Sequence, residues 1–524
     1  MMKNVTAPRR RLSRLAFVVA AFAAFVTVFT GAGENAAFAT TYAPISGTGS
    51  TWSQNALDQW RKNVAANYGM TVNYSGVGSS AGRRDYIAGT VDFAVSEIPF
   101  QAQPEDGSTP EVPPRGYAYM PIVAGGTSFM YNLKIGGQQV TNMRLSGEVL
   151  AKIFAGSITN WNDAAIQADN PGLAMPDKTI VPVVRSDGSG STAQFTLWMS
   201  EQHGGVWNRG MTSQFPTIPG FKYQSGSSGV SGYVSQDYGE GAITYVEYSY
   251  ALQSGFPVAK VLNSSGYYVE PTASSVAVAL MQAQIDTTPG ANYLTQILGG
   301  VYNNSDPRTY PLSSYSYMIV PTATGGVFTA EKGATLGAFG QYMLCEGQQQ
   351  AEALGYSPLP MNLVMAGFEQ IQRIPGASGV SVDINSCNNP TFKPGDSPSS
   401  NALAATAPQP AECDKQGPDQ CTTGTGGATQ ETAISGSGAG GSASGAAGSA
   451  SGAAGKAGSK TTSYGSVGAA SPFFLNEEPW GGRQSLMLAA GGLLLAAVAV
   501  PPYLIRRKSF GEHHIAPEST VEPK

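Results

Sequence analysis

The run "GSGAGGSASGAAGSASGAAGKAGSK", residues 436–460, offers nothing from which an apolar core could be built, and it separates a part of the chain able to fold from a part that is not. From residue 394 to residue 480, serine, glycine, alanine, threonine and proline dominate, and this composition predicts a disordered Gly/Ala/Ser-rich linker. At roughly 5–6 Å times the square root of its length, such a linker has a mean reach on the order of 50 Å. Part of the chain's 65 glycines and of its low charged fraction, 12 %, belongs to this segment.

The two ends carry apolar runs of different kinds. Arg9, Arg10, Arg11 and Arg14 precede the mostly apolar Leu15 to Phe29, and Ala37-Phe38-Ala39 supplies a cleavage site, so residues 1–39 read as a signal peptide and the mature chain is expected to start at Thr40. No cysteine lies near that site, which excludes lipid attachment there. Residues 485–505 are apolar over a length that can cross a bilayer, and Arg506, Arg507 and Lys508 follow. The basic cluster places the tail, 506–524, in the cytoplasm. The predicted arrangement is a single-pass cell-membrane protein whose head, residues 40–393, is extracellular. All four cysteines, Cys345, Cys387, Cys413 and Cys421, lie between the apolar runs, where disulfides can form. Proximity favours Cys413–Cys421 as a local loop and leaves Cys345–Cys387 to close the end of the head. A zinc site would lack C-x-x-C spacing.

Within the head, helical and strand patterns alternate. "QNALDQWRKNVAANYG" repeats Ala56, Trp60, Val64 and Tyr68 on one helical face before Gly69. "MTVNYSG", "VDFAVS", "TIVPVVRS" and "GAITYVEYSYAL" read as strands, while "AGRRDYIAG" and "TAQFTLWMS" read as helices. This is an α/β pattern with parallel strands. The formal net charge of −5 argues against nucleic acid or an anionic membrane surface as the main partner.

Three loops share one plan: a strand, a glycine turn, hydroxyls, then a helix. "ISGTGSTWSQNAL" places Gly47 and Gly49 before Ser50, Thr51 and Trp52; "NYSGVGSSAGRRD" places Gly76 and Gly78 before Ser79 and Ser80. "VVRSDGSGSTAQF" places Gly188 and Gly190 around Ser189, Ser191 and Thr192. The first amides of a helix have no internal partner, and the helix dipole puts positive potential there. Glycines admit a ligand close to the backbone, and hydroxyls add donors that rotate to suit it. Arg185 supplies a full charge in a fork matched to oxygen pairs, and Asp187 can hold that fork. Such loops can bind an anion without lysine, even in an acidic protein. Taken singly, each is also an ordinary helix cap.

The segments "GTGSTW", "NYSGVGSSAG", "GTVDFAVSE", "ITNWNDAAI", "VVRSDGSGST" and "GAITYVEYSYA" follow one another in this order. From about Ile45 to Gly355 the chain thereby resembles the substrate-binding protein of bacterial ABC phosphate importers. The resemblance implies a two-lobed type II periplasmic-binding-protein fold with a hinge. Lobe 1 would comprise about 40–125 and 312–393, and lobe 2 about 126–311, with crossover strands near "YMPIVAGGTSFMYNL" and "YSYMIVPT". It implies that inorganic phosphate is the ligand and that ABC permease and ATPase subunits are the partners. No cofactor and no catalysis come with it. Carried over, Thr51 (hydroxyl and amide), the Trp52 amide and Ser79 are donors, Arg185 is the binding arginine with Asp187 as its ion-pair partner, and Ser189, Gly190 and Ser191 complete the site.

Where the family commonly has aspartate, this chain has Glu97. A carboxylate there accepts the proton of a protonated oxyanion and repels sulfate, which has none to give. The extra methylene needs room, so either the pocket is shifted or the preferred anion differs, sulfate and molybdate being alternatives. A surface adhesion or signalling module that kept the fold is a further reading. A serine hydrolase is the enzymatic rival, since Gly78-Ser79-Ser80-Ala81-Gly82 fits G-x-S-x-G and Ser80, Asp187 and His203 run in the hydrolase order.

Overall fold

In the computed structural model, residues 42–434 are described, apart from 105–106, 289–292 and 294. The signal peptide, the glycine-rich run at 436–460, the apolar segment at 485–505 and the basic tail lie outside the described residues. Among the described residues no helix is long and apolar enough to cross a membrane.

Alternation of short strands and helices builds one eight-stranded sheet. Its strands are β1 (Ile45–Gly49), β2 (Val72–Gly76), β3 (Phe93–Ser96), β4 (Tyr117–Tyr131), β5 (Val181–Arg185), β6 (Lys222–Gln224), β7 (Ala242–Glu247) and β8 (Ser313–Pro321), in the spatial order β2-β1-β3-β8-β4-β7-β5-β6. β1 pairs in parallel with both β2 and β3, and β5 in parallel with β6 and β7. The sheet is therefore mixed, not parallel throughout, because β4 and β8 run antiparallel to their neighbours. Both are long and fully or nearly fully buried. β4 pairs with β8 as far as Gly126 and with β7 from Thr127 onward, so it belongs to both halves of the sheet and joins them. Strands that carry the chain between two lobes cannot follow the local right-handed strand–helix–strand repeat, and this is why they break the parallel order.

Helices follow the strands as the periodicity requires. α1 (Gln54–Tyr68) buries Ala56, Leu57, Trp60 and Val64. Tyr68 departs from the expected stripe: it is 43 % exposed, and its hydroxyl donates to Glu346 Oε2 instead (2.6 Å). α2 (Ser79–Ala88), α3 (Gly190–Gln202), α4 (Gly226–Val234) and α5 (Tyr248–Ser254) each begin at the C-terminal end of a sheet strand or shortly after it. Their N-termini are brought to the seam between the lobes.

The folded region runs further than composition predicts. Residues 394–434 are not a free linker but a strap laid on the lobe that holds β5–β7. Cysteines pair as Cys345–Cys387 and Cys413–Cys421. Arg144 Nη1 donates to the carbonyls of Cys413 (3.1 Å) and Asp419 (2.8 Å), and Thr141 Oγ1 to that of Gln430 (2.7 Å). Lys260 Nζ meets Asp414 Oδ2 at 2.7 Å with both side chains about nine-tenths buried. Polar side chains, a disulfide and a small apolar contact of Leu403, Ala404 and Ala407 with Ala277 and Val278 order this segment, and a reading based on overall composition overlooks them. Replacing Asp414 by alanine leaves Lys260 buried and unpaired, and is expected to cost about 3 kcal/mol in urea unfolding. A loss below about 0.5 kcal/mol would show that the pair does not anchor the strap.

Candidate functional site

Two linked sets of polar groups meet where the lobes touch. In the first, Glu97 follows β3 and is 1 % exposed, so it is no surface carboxylate. Its Oε1 accepts from Ser50 Oγ (2.5 Å) and Ser316 Oγ (2.6 Å), and its Oε2 from Ser79 Oγ (2.8 Å). Ser79 Oγ in turn accepts the Gly190 amide (3.2 Å), which joins the start of α2 in one lobe to the start of α3 in the other. Gly190 must be glycine here, since a Cβ would lie 1.9 Å from Glu97 Oε2 and 2.8 Å from Ser79 Oγ. The Glu97 carbonyl accepts from Gln194 Nε2 (2.8 Å) and Gln296 Nε2 (3.0 Å), which fixes the backbone as well.

In the second set, Arg185 ends β5 and is almost wholly buried. Its Nε donates to Asp187 Oδ1 (2.7 Å) and its Nη2 to Asp187 Oδ2, a bidentate pair. Asp187 Oδ1 also accepts the Gly226 amide (2.9 Å) at the start of α4. Burial pushes the Asp187 carboxyl up, but the Arg185 hydrogen bonds and charge and the Gly226 amide outweigh it, so the group is held below the ordinary aspartate range. Gly78, at φ +94°, brings the second loop against the third, where a Cβ would lie 2.6 Å from Asp187 Oδ2. Thr51 Oγ1 lies 2.8 Å from Ser227 Oγ and accepts the Ser227 amide (3.1 Å).

The other sequence-predicted residues keep different company. Thr51 faces α4, and the Trp52 amide donates to Ser50 Oγ (3.0 Å). The Ser189 hydroxyl caps its own helix by accepting from the Thr192 amide (3.3 Å). Ser191 Oγ is buried without a hydrogen-bond partner among the described residues, an arrangement that costs about 1–3 kcal/mol unless a ligand supplies the partner. Arg83, buried behind the second loop, donates to Glu111 Oε2 (2.7 Å), Ser96 Oγ (3.1 Å) and Ser80 Oγ (3.3 Å), and so stiffens that loop.

Three contributors are new relative to the sequence. The α4 loop, "QSGSSGV", has the same glycine-and-hydroxyl plan as the other three and was legible in principle. Ser50 stands in the first quoted loop. Ser316 carries no local signal, since it lies 219 residues from Glu97. The hydrolase arrangement does not assemble: Asp187 is committed to Arg185, Ser80 Oγ lies 3.4 Å from Ser213 Oγ, and the His203 ring packs edge-on against Trp198 with centroids 4.9 Å apart.

Residues 34–346 match the PBP superfamily domain. The phosphate-binding protein PstS of Xylella fastidiosa is 34 % identical over 324 residues, covering 61 % of this chain and 82 % of that protein. That of Pasteurella multocida is 32 % identical over 332 residues, covering 61 % and 87 %. The chain belongs to the PstS family within the PBP superfamily. A solved phosphate-binding protein from Stenotrophomonas maltophilia aligns at 16 % identity and a TM-score of 0.45, covering 64 % of this chain and 93 % of that one.

One carboxylate near the PstS-family seam is not part of either set. Glu247 ends β7, and its Oε2 accepts the Ser249 amide (2.8 Å). Its Oε1 is buried without a hydrogen-bond partner among the described residues, close to Gly125 and the Trp52 ring. Burial pushes this carboxyl well above the ordinary glutamate range, against the lowering effect of the Ser249 hydrogen bonds. The native state thus holds a proton that the unfolded chain releases above about pH 4.3. Glu247 stabilises fully below that value, and its contribution is lost as pH rises toward its native pKa. Glu247→Gln is expected to raise the urea midpoint at pH 7 to 8 while leaving it nearly unchanged near pH 4. Equal shifts at both pH values would contradict a buried, protonated Glu247.

Proposed function

We propose that this chain is an extracytoplasmic phosphate receptor that captures inorganic phosphate between its lobes and delivers it to the permease and ATPase subunits of an ABC importer. The observation that carries this reading is the pairing, in one shut site, of a buried guanidinium held by Asp187 with a buried carboxylate, Glu97. Arg185 provides charge for an oxyanion; Glu97 accepts the proton that phosphate still carries near neutral pH. The amides at the starts of α1, α2 and α3 and the Ser191 hydroxyl supply neutral donors. Thr51, Trp52, Ser79, Ser189, Gly190 and Ser191 line the proposed site, and Asp187 orients the arginine. The Trp52 and Gly190 amides and the Ser79 hydroxyl are engaged with Ser50, Ser79 and Glu97, and Ser191 offers the unpartnered hydroxyl. The names of the PstS relatives support phosphate as ligand.

Hinge closure follows from the same geometry. The anion would bridge groups from both lobes, and the closed state gains the contacts Thr51–Ser227 and Ser79–Gly190 together with it. Residues 1–39 as an export signal and 485–505 as a single membrane span would keep the receptor at the cell surface, tethered through the linker that follows the strap. In an envelope without a closed periplasm, a tether of this kind replaces a lipid anchor.

Calorimetry of the full chain in mild detergent, with inorganic phosphate and with sulfate, tests the reading. Phosphate is expected to bind and sulfate negligibly, and Arg185→Ala is expected to weaken phosphate about a hundredfold or more. Equal binding of the two anions would mean that the site does not read a proton. Binding of neither would move the function to an adhesion or signalling role.

A further inference from the structure

An ionised carboxylate offers about four lone-pair positions, two on each oxygen. On Glu97 both positions of Oε1 are taken, by Ser50 Oγ at 2.5 Å and Ser316 Oγ at 2.6 Å. One position of Oε2 is taken by Ser79 Oγ at 2.8 Å. The directions of two of these protons are fixed by their neighbours. Ser50 Oγ already accepts the Trp52 amide and Ser79 Oγ the Gly190 amide, so each turns its own proton to the carboxylate. What remains is a single acceptor on Oε2, the oxygen that lies against Gly190.

Ser316 reaches Glu97 from β8, beside an irregularity in the pairing with β4. The register shifts between Ser316, opposite Val123, and Tyr317, opposite Pro121. The extra residue, Ile122, lies on β4, whereas β8 keeps a regular antiparallel register with β3: Tyr317 pairs with Ser96, so Ser316 stands opposite Glu97. The Ser316 hydroxyl is one of the two that hold Oε1.

We propose that Ser50 and Ser316 are specificity-determining residues, which hold Oε1 of Glu97 by both lone pairs so that the carboxylate presents one acceptor to the anion. The inference rests on the phosphate reading above and explains how a glutamate serves where a shorter aspartate is usual in the resemblance. The extra methylene gives the side chain one more torsion to control, and the two hydroxyls control it. Oε2 then faces the anion with capacity for one proton. Phosphate can fill that position by donating; sulfate cannot, and meets the carboxylate charge uncompensated. Without the two hydroxyls, Oε1 has free lone pairs, the carboxylate rotates to satisfy them, and phosphate loses its acceptor while sulfate loses its barrier.

Calorimetry on the full chain with inorganic phosphate and with sulfate tests this in Ser50→Ala, Ser316→Ala and Ser316→Thr, each in the native and the Glu97→Gln background. Each alanine variant is expected to lose about tenfold in phosphate affinity, as for one hydrogen bond to a charged group, with the phosphate-to-sulfate ratio falling at least as far. Ser316→Thr keeps the hydroxyl and is expected to recover most of the loss. In the Glu97→Gln background the same alanine changes are expected to matter less than about twofold, because the group they position has lost its charge. Alanine variants with native affinity and ratio would overturn the inference, as would equal losses in both backgrounds. If the native chain bound no phosphate, the phosphate reading would fall and this inference with it; native binding with unaffected variants would remove this inference alone.

Discussion

The Arg185–Asp187 pair is the constraint around which the seam between the lobes is organised. A guanidinium only 3 % exposed needs a counter-charge within reach, and Asp187, two residues on, supplies it in bidentate form. That carboxylate is itself satisfied by the Gly226 amide, so the start of α4 is locked to the end of β5. Ser227, the next residue, takes Thr51 from the opposite lobe. One ion pair thus orders a chain of contacts that begins in one lobe and ends in the other.

Counting full charges at the seam gives one cation, Arg185, against two carboxylates, Asp187 and Glu97. An anion cannot be held there by net charge, which is consistent with the acidic balance of the whole chain. It can be held by dipoles: helix N-termini aimed inward, the unpartnered Ser191 hydroxyl, and the part of the guanidinium not spent on Asp187. These act strongly because the groups are buried and water is excluded. The same carboxylates that oppose a bare anion become an asset when the anion carries a proton. Selectivity and binding therefore draw on one arrangement, and Gly190 is the point where they meet, since any side chain there would strike Glu97 Oε2.

Most of this was legible in the sequence because it is local. Glycine, hydroxyl and helix start lie within a few residues of each other in each loop, and Arg185 lies two residues from its partner. The same rule would have found the α4 loop. What was not legible depends on distant contacts or on order in a segment whose composition reads as linker. Ser316 joins Glu97 only through the antiparallel pairing of β8 with β3. The strap at 394–434 looks like linker by composition, yet Arg144, Lys260 and the Cys413–Cys421 bridge hold it in place. The direction of β4 and β8 escaped for a related reason: strand patterns report burial, and both directions bury strands equally well.

A crystal structure of the chain with inorganic phosphate bound tests the central claim most directly. The account predicts an anion at the seam with two oxygens on Arg185, a partner for Ser191 Oγ, and one oxygen within hydrogen-bond distance of Glu97 Oε2 while Oε1 stays on Ser50 and Ser316. Phosphate held elsewhere, or a Glu97 side chain turned away from the anion, would contradict it.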